Sequence, residues 1–174
     1  MARAVLQIVG VVSLAGLVLS GLEAVPGAVL GLPRGVSLAA SLGEAERRLD
    51  TKLTPPPGWS GSFGWPPREI RYSLRPVRAA ALRMEPREGA VNLTLYRSQG
   101  TVIPDRLRPP GRVFHSLEVW VKGRPALLTT LTLADNQVWQ DLEWTEGAGR
   151  TAIRFQGPTV QLLGLAEALR EAEP

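Results

Sequence analysis

Cysteine is absent from the 174 residues, which excludes disulfide bridges, a cysteine nucleophile and any thiolate metal site. Histidine occurs once, as His115. A single imidazole cannot build a two-histidine zinc centre, so only a carboxylate-rich site would remain for a metal, and none is expected. Lysine is scarce as well: 18 of the 20 basic side chains are arginine. The chain has no glycine-rich phosphate loop, no dinucleotide fingerprint and no internal repeat, so no cofactor is expected. A nucleophile elbow of the form G-x-S-x-G is missing too. Gly58-Trp59-Ser60-Gly61 falls one residue short of it within a proline-rich stretch.

The formal charge is only +4, but it is spread unevenly. Residues 68–124 hold 12 basic and 5 acidic side chains, a net of +7, while residues 125–174 hold 3 basic and 7 acidic, a net of −4. The arginines stand singly among apolar residues. Nucleic acid calls for clustered basic groups interleaved with stacking aromatics, so it is not an expected partner.

Charge is wholly missing from Ala4 to Leu22, 19 residues in which Gln7, Ser13 and Ser20 are the only polar side chains. As a helix this stretch rises about 28 Å, close to the hydrocarbon thickness of a bilayer. Arg3 and the amino terminus precede it and Glu23 follows, an order that keeps the N-terminus cytoplasmic. Leu22-Glu23-Ala24 lacks the small-x-small pattern of a cleavage site. Residues 1–24 are therefore read as a transmembrane signal-anchor, with a cleaved signal peptide and a secreted product as the alternative. Gly16 and Ser20 are spaced to let another helix pack closely against this one.

Residues 25–67 read as a juxtamembrane segment. Val25–Pro33 carries two prolines and two glycines and cannot continue a helix. Ser41-Leu42-Gly43-Glu44 has the form of a capping box, and the spacing predicts a short amphipathic helix running through Leu53. Pro55–Pro67 is a breaker-rich connector bearing Trp59, Phe63 and Trp65. These rings either seal one end of the following domain or form a platform for a sugar or a peptide.

Residues 68–174 read as an extracytoplasmic β domain organised around Arg112–Gln156. Period-2 alternation marks four strands there, because successive side chains leave opposite faces of a pleated chain. In the first, Val113, His115, Leu117, Val119 and Val121 oppose Phe114, Ser116, Glu118, Trp120 and Lys122. Three more runs, Glu69–Leu74, Val77–Met84 and Ala90–Tyr96, bring the expected count to seven strands. The expected fold is mainly β, an antiparallel sandwich or jelly roll with short flanking helices. Pro104–Gly111 is a basic proline-rich loop that carries Arg106 and Arg108. Thr159 is placed to cap a last helix over Val160–Glu171.

The candidates for chemistry are few. His115 could serve a hydrolase only if the fold brought it a serine and a carboxylate such as Asp105 or Asp135. Asp141 and Glu143 share a strand face near Trp139 and Trp144, as glycosidase carboxylates do near aromatic rings. An ordinary solvated strand face has the same composition. Leu117–Trp144 (LEVWVKGRPALLTTLTLADNQVWQDLEW) resembles the later strands of discoidin-type, galactose-binding-like sandwiches, with a strand, a small turn, a "tLaD" step and a strand beginning near Gln. The resemblance covers about 30 of the 174 residues. It implies a sandwich and no activity. The reading that follows is non-enzymatic: a membrane-anchored accessory or assembly protein whose β domain binds a protein partner. The residues singled out for ligand or partner contact are Trp59, Phe63, Trp65, Trp120, Trp139, Arg106 and Arg108. A glycan-binding module is the alternative, and a hydrolase using His115 the third reading.

Overall fold

The computed structural model describes residues 31–54, 63–86, 92–121 and 123–170. Their order is β1 (Ser37–Leu38), α1 (Leu42–Leu49), β2 (Phe63–Ser73), β3 (Ala79–Pro86), β4 (Leu93–Ser98), β5 (Arg112–Val121), β6 (Arg124–Thr132), β7 (Val138–Glu146), β8 (Gly149–Phe155) and α2 (Thr159–Arg170). All eight strands join one antiparallel sheet in the order β1-β2-β3-β4-β8-β7-β6-β5. The β-rich antiparallel fold is as expected. The hydrogen-bond ladder is continuous from β1 to β5, where two stacked sheets were anticipated.

Two meanders meet at the β4–β8 pair. The chain leaves β4 near the middle of the sheet, crosses one face through residues 99–111, and starts the second meander at the far edge with β5. Four hairpin strands then return it to β8 beside β4.

Alternation gives each face its own core. On the inner face, Ile70, Leu82, Leu95, Ile153, Leu142 and Leu128 stand in register across six strands. Ala45 and Leu49 of α1 and Leu162, Leu165 and Ala166 of α2 close over this face. Each fully buried Leu, Ile or Phe in such a layer contributes about 1.5–3 kcal/mol. On the outer face a smaller cluster forms where Ile103 and Leu107 of the crossover pack on Val36, Ala79, Ala81, Tyr96 and Ala152.

Helix α1 begins as its capping box requires. Ser41 accepts the amide of Glu44 at 3.2 Å, and Glu44 reaches back to the Ala40 amide at 2.9 Å. It ends four residues before the expected Leu53. Asp50 adopts the left-handed conformation (φ 55°) and breaks the spiral, while Glu46 accepts the Leu53 amide at 2.8 Å and holds the chain after the turn. Strand β2 starts earlier than expected, so Phe63 and Trp65 belong to a strand and not to the connector. Strand β1 was not foreseen; two residues carry no readable periodicity. In β5, Val113 pairs with Leu131 but His115 with Thr130, so Phe114 is an extra residue. Such a bulge switches the side chains before it to the other face. Val113 therefore shares a face with Ser116, where unbroken alternation had placed it with His115.

Among the described residues no helix is long and apolar enough to cross a membrane. The expected span Ala4–Leu22, with Gly16 and Ser20, lies outside those residues, as does Trp59.

Candidate functional site

The crossover is pinned to the sheet by ions. Arg154 of β8 gives Asp141 of β7 two hydrogen bonds, Nε to Oδ1 at 2.8 Å and Nη2 to Oδ2 at 2.7 Å, and its Nη1 donates to the Pro109 carbonyl at 2.9 Å. The guanidinium also lies 5.9 Å from the centre of the Tyr96 ring. One register step away, Glu143 binds Arg150 at 2.7 Å and also holds Arg108 of the crossover. Burial opposes the charge on Arg154, but the hydrogen bonds and charge of Asp141 outweigh it and its pKa moves up. The Tyr96 phenol is also pushed up, chiefly by burial, with Arg154 pulling the other way. The two same-face carboxylates are thus neutralised separately by arginines. Their work is to hold the crossover down.

Strand β5 ends the sheet, and among the described residues it is paired on one side only, with β6. Every residue from Arg112 to Glu118 is exposed, on both faces of the pleat. Phe114 is 59 % exposed, Leu117 49 % and Trp120 71 %. Beside them on β6, Leu127 is exposed as well. The opposite edge, β1, is only two residues long. Long flat edges with large apolar side chains are what sheet proteins usually avoid, because unpaired N–H and C=O groups recruit another strand. Here the blunting devices among the described residues are the bulge at Phe114 and the charges of Arg112 and Glu118.

The other candidates fall apart spatially. Phe63 is buried, and Trp65 packs partly buried against the same core, which fits the sealing role for those two rings. Trp120 stands opposite Pro125 and Trp139 opposite Leu131. Six residues along a strand separate them, roughly 20 Å, so they do not form one stacking platform. Arg106 donates to the Arg34 carbonyl at 3.4 Å and lies against Gly35, whose φ of 76° favours glycine. Arg108 is spent on Glu143. His115 sits on the exposed edge, and among the described residues its side chain has no hydrogen bond to a serine or a carboxylate. No group of three or more metal-ligating side chains occurs among the described residues.

Sequence reasoning missed two features. The exposure of Leu117 was not foreseen; it follows from β5 being terminal, a fact of topology and not of periodicity. Arg97 was passed over, although a readable signal existed. The core-facing positions of β4 run Leu93, Leu95 and then Arg97, a charge where the alternation calls for an apolar residue.

Neither a protein-family model, nor a curated protein, nor a solved structure matches the chain.

Proposed function

We propose that the protein is a non-enzymatic, membrane-anchored accessory or assembly factor whose extracytoplasmic β domain adds an extended segment of a protein partner to the free edge of β5. One observation carries the reading: among the described residues β5 is an edge strand, exposed on both faces from Arg112 to Glu118, and it presents Phe114, Leu117 and Trp120 beside the backbone groups of its open side. Strand addition uses both features, since main-chain hydrogen bonds give affinity and alternate side chains give specificity. Large aromatics are the usual anchors of such interfaces.

The chemistry of the occupant follows from charge. Pairing β5 with its own copy about Leu117 would set Phe114 against Trp120. A second copy would also bring more cations to the strand ends, since Arg112 opens the strand and Lys122 follows it in the sequence, and like charges brought together across a strand pair are destabilising. An extended segment that is apolar in its middle and acidic toward its ends meets no such penalty. The two-faced covering of the sheet, by helices inside and the crossover outside, leaves this edge as the surface for display, the role a sandwich was expected to fill.

A photo-reactive phenylalanine at position 120 of the full chain, irradiated in native membranes, tests the reading. The expected product is an adduct with one other protein, mapped to an acidic-ended segment and lost when Leu117→Lys is added. An adduct of twice 18.8 kDa, or no adduct at all, refutes it. Resistance of the full-length protein to a carbonate wash is expected of the anchor, and a shorter soluble product would refute that part alone.

A further inference from the structure

Arg97 is a charge on a core face. At its level the inner row runs Ala80, Arg97, Thr151, Trp144 and Ala126 across five strands. Arg97 is half-buried, and its Nε–H is closed off from solvent with no hydrogen-bond acceptor among the described residues. In the same row the indole N–H of Trp144, 3 % exposed, also lacks an acceptor. Withdrawing a cation and a donor from water without partners is costly. A fold keeps such groups where something arrives to satisfy them, or where stability is given up for a site.

Space exists beside Arg97. The short side chain of Ala80 leaves a cavity of about 240 Å³ between the inner face of β3, β4 and β8 and the turn that follows α1. Its cations are Lys52, Arg78, Arg97 and Arg150, against one lining carboxylate, Glu146. Glu146 is occupied by the Thr151 hydroxyl, which donates to it at 2.7 Å. Arg78 reaches Asp50 at 3.3 Å and Arg150 reaches Glu143 at 2.7 Å. Arg97 and Lys52 have no carboxylate partner among the described residues.

We propose that this cavity binds an oxyanion of the phosphate class. Among the described residues Lys52 and Arg97 lack ion-pair partners and outnumber the one lining carboxylate, so the cavity keeps a net positive lining that favours an anion with several acceptor oxygens. Arg97 supplies a planar fork from the floor and Lys52 a mobile point charge from the rim, the two complementary ways in which proteins hold phosphate. Thr51 and Thr54 also line the cavity. The site is separate from β5 and does not depend on what binds there.

Titration calorimetry of the full chain in non-ionic detergent with inorganic phosphate tests the proposal. Saturable binding is expected, weakened at least tenfold by Arg97→Met and unchanged by Arg83→Gln on the opposite face. In the absence of phosphate, Arg97→Met is expected to melt no lower than the parent protein, because an unmatched cation has left the core face. Phosphate binding undiminished in Arg97→Met, or absent from the parent protein, overturns the site. Should Arg97→Met fail to fold, the double substitution Lys52→Gln/Arg78→Gln on the exposed rim serves instead, and an unaltered affinity there overturns it equally. Nanodiscs containing phosphatidylglycerol distinguish the source of the group. Competition with inorganic phosphate assigns a lipid head group, and no competition assigns a soluble phosphate ester.

Discussion

Removing Asp141 isolates the charge on which the crossover depends. The Asp141 and Arg154 side chains are 9 % and 5 % exposed, and the carboxylate takes both of its close hydrogen bonds from that one guanidinium. Asp141→Leu leaves Arg154 buried with only the Pro109 carbonyl and the Tyr96 ring for company. Breaking one half of a buried ion pair costs about 3–5 kcal/mol. For a domain of this size that corresponds to a fall in Tm of roughly 10–20 °C. The double substitution Asp141→Leu/Arg154→Met removes both charges and replaces them by side chains that pack. Its loss is limited to the charged hydrogen bond to Pro109, about 1.5–3 kcal/mol, offset by desolvation no longer incurred, which is often worth about 1–4 kcal/mol. The double variant is expected within about 2 kcal/mol of the parent protein by the same arithmetic. Urea unfolding followed by tryptophan fluorescence measures both variants. Hydrogen exchange at the Leu107 and Arg108 amides, which donate to the Pro104 carbonyl, reports on the crossover itself and should accelerate in both. A double variant as unstable as Asp141→Leu alone would refute the reasoning, since the loss would then not come from an unmatched charge.

Three further outcomes follow from the same packing. Trp120→Asp and Leu117→Lys change exposed side chains and should alter stability by no more than about 0.5 kcal/mol while abolishing the partner adduct, which thermal melts and cross-linking can read side by side. Gly111→Ala would set a methyl group 2.5 Å from the Thr132 carbonyl oxygen, a backbone atom that cannot yield, so a loss of about 1–3 kcal/mol is expected in denaturant titration. Tyr96 has a folded-state pKa above its unfolded value. Its neutral form therefore adds stability in full below about pH 10, and that stability is lost as pH rises through the folded value. Alkaline unfolding of Tyr96→Phe compared with the parent protein, each normalised to neutral pH, should show a shallower decline for the phenylalanine variant, and parallel declines would refute it.

Periodicity made most of the strands legible because a pleat enforces it residue by residue. The runs at Glu69–Leu74, Val77–Met84, Ala90–Tyr96 and the four after Arg112 all became strands, with ends displaced by a few residues. The capping box at Ser41 was equally local, and it starts α1 as read. What periodicity cannot carry is adjacency. Whether β5 stands in the middle of a sheet or at its edge depends on where residues 99–111 deliver the chain, and that is settled by Ile103 and Leu107 finding the outer face. An alternating apolar strand looks the same in both places, which is why the exposure of Leu117 could not be read from its spacing. The end of α1 shows a different limit. Apolar spacing continues to Leu53, but the left-handed turn at Asp50 and the Glu46–Leu53 hydrogen bond redirect that leucine into the core without a helix.

The same distinction sorts the charged residues. Asp141 and Glu143 were noticed because two acids on one face beside tryptophans is a pattern visible in one strand. Their partners, Arg154, Arg150 and Arg108, come from β8 and the crossover, and only the fold shows that each acid is already answered. Arg97 inverts the case. Its oddity is local, a charge after Leu93 and Leu95 on a core-facing row, yet its meaning is not, because only the fold shows that no acid answers it among the described residues. A charge that breaks a pattern and is then paired is architecture, as Arg154 is. A charge that breaks a pattern and stays unmatched beside a cavity points outward to a ligand, and Arg97 is the residue of this chain to which that inference applies.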